Sequence, residues 1–309
     1  MVHKIMVKNN TKLRYALFLG CLIPARFPRF EYLARRLFPE LGIELVDLEG
    51  FSCCPDPVRF KGADQFTWLA LAARNLAIAA EENLSILTLC PACTMTLATA
   101  NMELQNNPEL LKKVNETLSD VGRRFENPLS VRHFLKVLYE DVGTEGLRKM
   151  VKKPLSDLRI SYHSGCHENN PPEIMRFDNP FNPKKTEELL EALGLQVVDY
   201  SEKSHCCGSP LTLDGKMDDS LHAVVRKVKD MSRFGAEALA VGCTSCFQQF
   251  EIGQVMAARK DLTTLKLPVF HFLELLALAM GWKLDEVGFR EHKVKGAKEM
   301  LEARLAEGV

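Results

Sequence analysis

Ten cysteines carry most of the chemistry open to this 309-residue sequence. They fall into two sets of five: Cys21, Cys53, Cys54, Cys90 and Cys93, then Cys166, Cys206, Cys207, Cys243 and Cys246. Each set reads as a single cysteine, a Cys-Cys pair and a Cys-x-x-Cys. In both sets 35 residues separate the pair from the Cys-x-x-Cys, and 31 or 39 separate the single cysteine from its pair. A spacing that occurs twice and uses every cysteine marks an internal duplication. The opening stretch, MVHKIMVKNNTKLR, has no apolar run of the kind a secretory leader needs. The chain is therefore expected to be soluble and cytoplasmic, where clustered thiols serve metal binding or redox catalysis rather than disulfide frameworks.

Three chemistries compete for each set. Disulfides leave one thiol over in a set of five and suit the wrong compartment. Zinc can be closed tetrahedrally by two cysteine pairs, but the fifth thiol is then idle in both halves. Iron–sulfur clusters use a soft, thiolate-only ligand set in full. The last reading leads, and a zinc-stapled scaffold stays open beside it.

Histidines flank the cysteines of the second set only. His163 and His167 are candidates for protonating thiolate products, with a place beside the metal ligands as the alternative, and His205 is a weaker case. His133 and His271 lie in apolar, helix-like surroundings and are expected in the core. Arg26, Arg29, Arg59 and Lys61 follow first-set cysteines and could hold an anionic substrate tail, balance a negatively charged cluster or face solvent. There is no GxGxxG after a strand, no P-loop and no serine elbow, so nucleotide, flavin and hydrolase readings lack support. Forty basic residues offset forty acidic ones, leaving no long-range field for nucleic acid. The longest apolar segment, Leu265 to Trp282, is broken by Pro268, His271 and Glu274. It reads as a buried or partner-facing helix rather than a bilayer span of about 20 apolar residues.

The elements that must position these residues repeat as well. Strand-like runs end at each single cysteine (Tyr15–Gly20, Arg159–Gly165) and at each Cys-x-x-Cys (Leu84–Leu89, Ala238–Gly242). A third precedes each pair (Ile43–Leu48, Gln196–Tyr200). Phe66, Leu69, Ala73, Leu76 and Ala80 share a helix spacing, as do Met217, Leu221, Val224, Val228 and Met231. Strands alternating with helices predict an α/β fold with parallel sheets. Two pseudo-symmetric Rossmann-like halves are expected, residues 1–153 and 154–309, with the cysteines at the carboxyl ends of the strands, where open sheets bind ligands. Pro91 is expected to open a helix whose N-terminus favours thiolate at Cys90 and Cys93. The tail after His292, with Met300, Leu301 and Leu305 on one helical face, receives no assignment.

The doubled cysteine pattern resembles the cysteine-rich (CCG-type) domains of the B subunit of heterodisulfide reductase. The likeness extends to FLGCLIPARFP at Phe18–Pro28, ELVDLEGFSCCPDP at Glu44–Pro57 and FTWLALAARN at Phe66–Asn75. VRHFLKVLYEDVG at Val131–Gly143, YHSGCH at Tyr162–His167 and FDNPFNP at Phe177–Pro183 continue it. The resemblance implies two 4Fe–4S clusters of non-cubane type, held by all ten cysteines, with a disulfide cleaved between them by one-electron transfers. It also implies a ferredoxin-like C subunit and a flavin-containing A subunit as partners. A non-catalytic electron-relay or assembly subunit is the alternative. HCCGSPLTLDG departs from the family's glycine-rich Cys-Cys-Gly stretch at Ser209–Pro210, and CPACTMTL and CTSCFQQF differ between their cysteines. These positions are expected to line the substrate cleft, so the physiological disulfide, persulfide or lipoyl sulfur stays open.

Overall fold

The computed structural model describes residues 13–306, with side chains to Arg304. The reading of residues 1–12 as leaderless, and of Leu305 as part of a helix face, lies outside the described residues. Eight strands are described: β1 Leu13–Phe18, β2 Ile43–Val46, β3 Ser85–Thr88 and β4 Val131–His133, then β5 Arg159–His163, β6 Gln196–Val197, β7 Ala238–Val241 and β8 Val269–His271. They form two four-stranded parallel sheets, ordered β2-β1-β3-β4 and β6-β5-β7-β8. Tyr15 stands opposite both Leu45 and Ser85, and Ile160 opposite both Val197 and Ala238. The α/β architecture expected from the repeat is the observed one.

Strand order decides where a ligand can sit. From β1 the chain moves one way to β2, then crosses back to β3 on the other side. Such a reversal opens a crevice beyond the carboxyl ends of the two central strands. Cys21 leaves β1 and Cys90 leaves β3, so both face the same crevice. In the second sheet Cys166 leaves β5 and Cys243 leaves β7.

The fourth strand of each sheet corrects the sequence reading. His133 and His271 end β4 and β8 and stand immediately before the helices beginning at Phe134 and Phe272, rather than lying within helices. Both are buried, as expected. The apolar stretch near the C-terminus is thus a strand followed by a buried helix, Phe272–Ala279, in which every residue is buried. Among the described residues no helix is long and apolar enough to cross a membrane.

The apolar interior is not divided at the middle of the chain. One core lies within the first half, around Trp68, Leu76, Ile86 and Leu97. The other joins Tyr15, Leu17, Phe30, Leu37 and Leu135 of the first half to Ile160, Leu239, Phe250 and Leu276 of the second. Gly242, just after β7, sits at this join. A Cβ there would overlap Leu135 Cδ1 and stand 2.9 Å from the Tyr162 hydroxyl, so only glycine lets the halves close. The tail reaches across the same join where Glu291 pairs with Arg29 at 3.0 Å, and it is anchored within the second half where His292 lies between Glu251 and Glu274 at 3.0 and 2.9 Å.

Candidate functional site

The two cysteine sets are built alike. Each single cysteine opens a short helical turn after the first strand of its sheet. Each Cys-Cys pair occupies the irregular segment after the edge strand. Cys90 and Cys243 are the extended N-cap residues of the helices Pro91–Asn106 and Thr244–Arg259, and Cys93 and Cys246 lie in the first turns. Pro91 stands at the helix start, where the missing N–H is no loss.

Polar side chains that the cysteine pattern does not reveal hold these segments. In the first half the Asn75 amide accepts from Ser52 N at 2.9 Å and donates to Cys53 O at 3.1 Å. Thr96 donates to Pro55 O at 3.0 Å, and Thr88 donates to Cys90 O at 3.1 Å. In the second half Gln249 donates to Ser220 at 2.7 Å, and Ser220 donates to Gly208 O at 3.0 Å, just past the pair. Gly20 is required for close approach: its φ is +66°, and a Cβ would lie 2.8 Å from Cys93 Sγ.

All ten thiols are free. In the first set Cys21 neighbours Cys53, Cys53 neighbours Cys54, Cys54 neighbours Cys93, and Cys93 neighbours Cys90. The second set repeats the sequence from Cys166 through Cys206, Cys207 and Cys246 to Cys243, with Cys246 Sγ 3.5 Å from Cys207 Sγ. The series meet at equivalent residues, Cys90 beside Cys243. Ten thiols therefore form one unbroken row, with the pseudo-two-fold relation passing between its middle members.

Crowding makes the thiols unequal. Cys54 is held down to about 6, first by the Cys53 thiol and then by Cys93. Cys206 is lowered much further, first by Cys166 and then by Cys207. Their neighbours shift in the other direction: Cys207 is pushed up to about 12, chiefly by Cys206, and Cys93 rises chiefly through Cys54. Protein alone cannot accumulate thiolate charge on all ten sulfurs; bound metal cations can. Five soft donors in each set, without a carboxylate among them, exceed the four a zinc ion takes and fit an iron–sulfur cluster.

A cleft between the halves lies against the second set. Asp56, Val58, Arg59, Pro91 and Ala92 line it from the first half; His167, Ser209, Pro210, Leu213, Ser245 and all five second-set cysteines line it from the second. Of the residues departing from the family pattern, Ser209, Pro210, Pro91, Ala92 and Ser245 face the cleft, whereas Thr244 is buried away from it. The first set reaches it through the Pro91–Ala92 turn. Of the cations following first-set cysteines, only Arg59 lines it, 3.5 Å from Asp214. Arg29 pairs with Glu291, Lys61 pairs with Glu103 at 2.7 Å and covers the Trp68 ring, and Arg26 reaches Gln248.

The three flanking histidines part company. His167 touches the cleft, and burial lowers its proton affinity. His163 ends β5 with no exposed surface and is not among the residues lining the cleft. Among the described residues it joins Cys207 and Cys246 in the only group of three whose ligand atoms lie within 4.8 Å of one another. His205 is exposed and pairs with Glu202 at 3.0 Å. Sequence reasoning missed Lys227, fully buried, whose ammonium donates to Glu202 O beneath the second pair and is pulled down to about 8 by burial.

Known proteins share this construction. A family described as "Cysteine-rich domain" (CCG) matches residues 15–98 and 160–251. The B subunit of the ferredoxin:CoB-CoM heterodisulfide reductase of Methanosarcina mazei is 36% identical over 283 residues, 91% of this chain and 94% of that protein. A protein of Archaeoglobus profundus, named as similar to the B subunit of heterodisulfide reductase, is 36% identical over 277 residues, 89% of this chain and 93% of that protein. "8-methylmenaquinol:fumarate reductase membrane anchor subunit" of Wolinella succinogenes is 29% identical over 284 residues, 92% of this chain and 98% of that protein. A crystal structure of a hypothetical protein from Helicobacter pylori superposes with a TM-score of 0.73 at 18% identity, over 93% of this chain and 53% of that one. This chain thus spans about half of that neighbour, which bears on the fold alone. With its cysteine-rich domain present twice and its likeness to the B subunits running nearly end to end, the chain belongs to the family of heterodisulfide reductase B subunits.

Proposed function

We propose that this chain is the thiol–disulfide subunit of an iron–sulfur oxidoreductase complex, with its two halves, 1–153 and 154–309, each holding one 4Fe–4S cluster of non-cubane type. The observation that carries the reading is the unbroken row of ten free thiols meeting at Cys90 and Cys243 beside a cleft. When bound, such clusters supply electrons singly, and cleaving a disulfide takes two.

The chain's own residues do the rest. The five thiols of each set hold the metal. Val58, Pro91, Pro210 and Leu213 give the cleft apolar walls that displace water from a sulfur substrate. Arg59, steadied by Asp214, is placed for an anionic end of that substrate. His167 touches the same space and is placed to pass a proton to a departing thiolate. Partners of the ferredoxin-like C and flavin-containing A type, within the cytoplasm, complete the electron path; the heterodisulfide reductase relatives, named as subunits, support a multi-subunit assembly. A second reading, an electron relay whose clusters meet no substrate, draws on the likeness to the Wolinella fumarate reductase subunit.

The test is iron, sulfide and zinc analysis of protein purified without oxygen, followed by EPR. Roughly eight irons per chain with matching sulfide, and a spectrum altered by an added thiol or disulfide, are expected. Zinc in place of iron would overturn the reading. Full iron with a spectrum indifferent to every sulfur compound would leave the relay.

A further inference from the structure

The likeness of the two sites fails at the buried end of the first strand of each sheet. Three residues before Cys21, β1 ends in Phe18; three residues before Cys166, β5 ends in His163. Phe18 needs only apolar company and has it, with the Phe51 ring 5.1 Å away. His163 occupies the equivalent place with no exposed surface, and neither ring nitrogen has a hydrogen-bond partner. A buried donor or acceptor left unsatisfied loses its hydration without recompense, and native interiors rarely keep one without use. The ring's edge rests against Phe250 at 5.1 Å, which supplies no acceptor. A ring nitrogen lies within 4.8 Å of both Cys207 Sγ and Cys246 Sγ.

We propose that His163 belongs to the second metal centre as a positioning residue, its ring N–H donating to sulfur held at Cys207 and Cys246 and making that centre the easier of the two to reduce. The inference rests on the iron–sulfur reading above. Hydrogen bonds to cluster sulfurs draw electron density from them and raise the reduction potential. Phe18 can donate nothing, so two sites with the same five cysteines become electrically unequal. Lys227 adds to the difference: its buried ammonium stands behind the second set. Arg74, as far past Cys54 in sequence as Lys227 is past Cys207, instead turns outward and donates to Gly50 O at 2.8 Å. Electrons then settle on the centre that lines the cleft.

The experiment uses the full chain purified without oxygen. Iron and sulfide are measured first, so that absence of clusters, which would sink the underlying reading, is seen separately. Pulsed EPR of protein carrying 15N-histidine is expected to show a weak nitrogen coupling that His163→Phe removes. In an EPR-monitored titration the higher midpoint potential should fall in His163→Phe by roughly tenfold in the one-electron equilibrium, about 59 mV. His163→Gln, which keeps an N–H donor, should recover much of it. With iron intact, unchanged potentials or a coupling that survives in His163→Phe would overturn the inference. A strong coupling from a directly bound nitrogen would overturn the donor role. If His163→Phe does not retain iron, the wild-type spectrum decides, and absence of any histidine coupling refutes the proposal.

Discussion

His292 offers the sharpest test of how the molecule is held together. Its two ring nitrogens face Glu251 and Glu274, and the three side chains are only 4%, 2% and 1% exposed. Glu251 also accepts from the backbone N–H groups of Lys293 and Val294, and Glu274 accepts from His271 N. Burial alone would lower the imidazole's proton affinity, but the carboxylates, Glu274 foremost, raise it from 6.5 to about 10. At about 1.4 kcal/mol per pH unit, that difference corresponds to an upper bound of about 5 kcal/mol. A folded value above the unfolded one means the stabilisation is full below 6.5 and is lost as pH rises through 10. His292→Gln leaves two carboxylates buried without their cation, a change that typically costs about 3–5 kcal/mol. The midpoint of thermal unfolding, read by calorimetry near pH 6.5, should drop by about 6–15 °C. The gap between wild type and variant should narrow as pH approaches 10. A variant melting within about 2 °C of wild type at the lower pH, or a gap that widens with pH, would refute the reasoning.

Three further outcomes follow from close contacts. Gly242→Ala should cost about 1–3 kcal/mol by forcing Leu135 out of place, and adding Leu135→Ala should restore part of the loss, as followed by urea unfolding. Gly20→Ala combines a positive φ with a Cβ 2.8 Å from Cys93 Sγ, so iron analysis should show the first set emptied and the second still loaded. His167→Gln should slow disulfide turnover by roughly 10²–10⁴-fold at unchanged iron content; unaltered turnover would remove this imidazole from proton delivery.

The parallel sheets and the placement of the cysteines at strand ends were legible because spacing and apolar runs repeat across the chain. β4 and β8 were not. They are three residues long and pass directly into helices, so Val131–His133 and Val269–His271 carry no alternation of their own and are extended only by pairing with β3 and β7. The expected helix face from Phe66 to Ala80 is buried at Leu69, Ala73 and Leu76, yet Phe66 is exposed near the helix start. The cations gave the weakest signal. Whether Arg29 meets a substrate or Glu291 depends on a partner 262 residues away, which local sequence does not reveal. The contacts of His292 are hidden for the same reason.

The core shared across the join also bears on how the chain is made. Phe30, Leu37 and Leu135 belong to the first half, but their covering includes Leu273 and Leu276 near the far end. At synthesis rates of about 5–20 residues per second, the first half waits on the order of 10 s for that covering to leave the ribosome. During that interval its sheet has one finished face, around Trp68 and Ile86, and one sticky face. The row of thiols is likewise broken at its middle until Cys243 reaches Cys90. The two sets therefore meet only once the second half has emerged, and a nascent chain arrested before residue 270 should depend on chaperones in a way the finished protein does not.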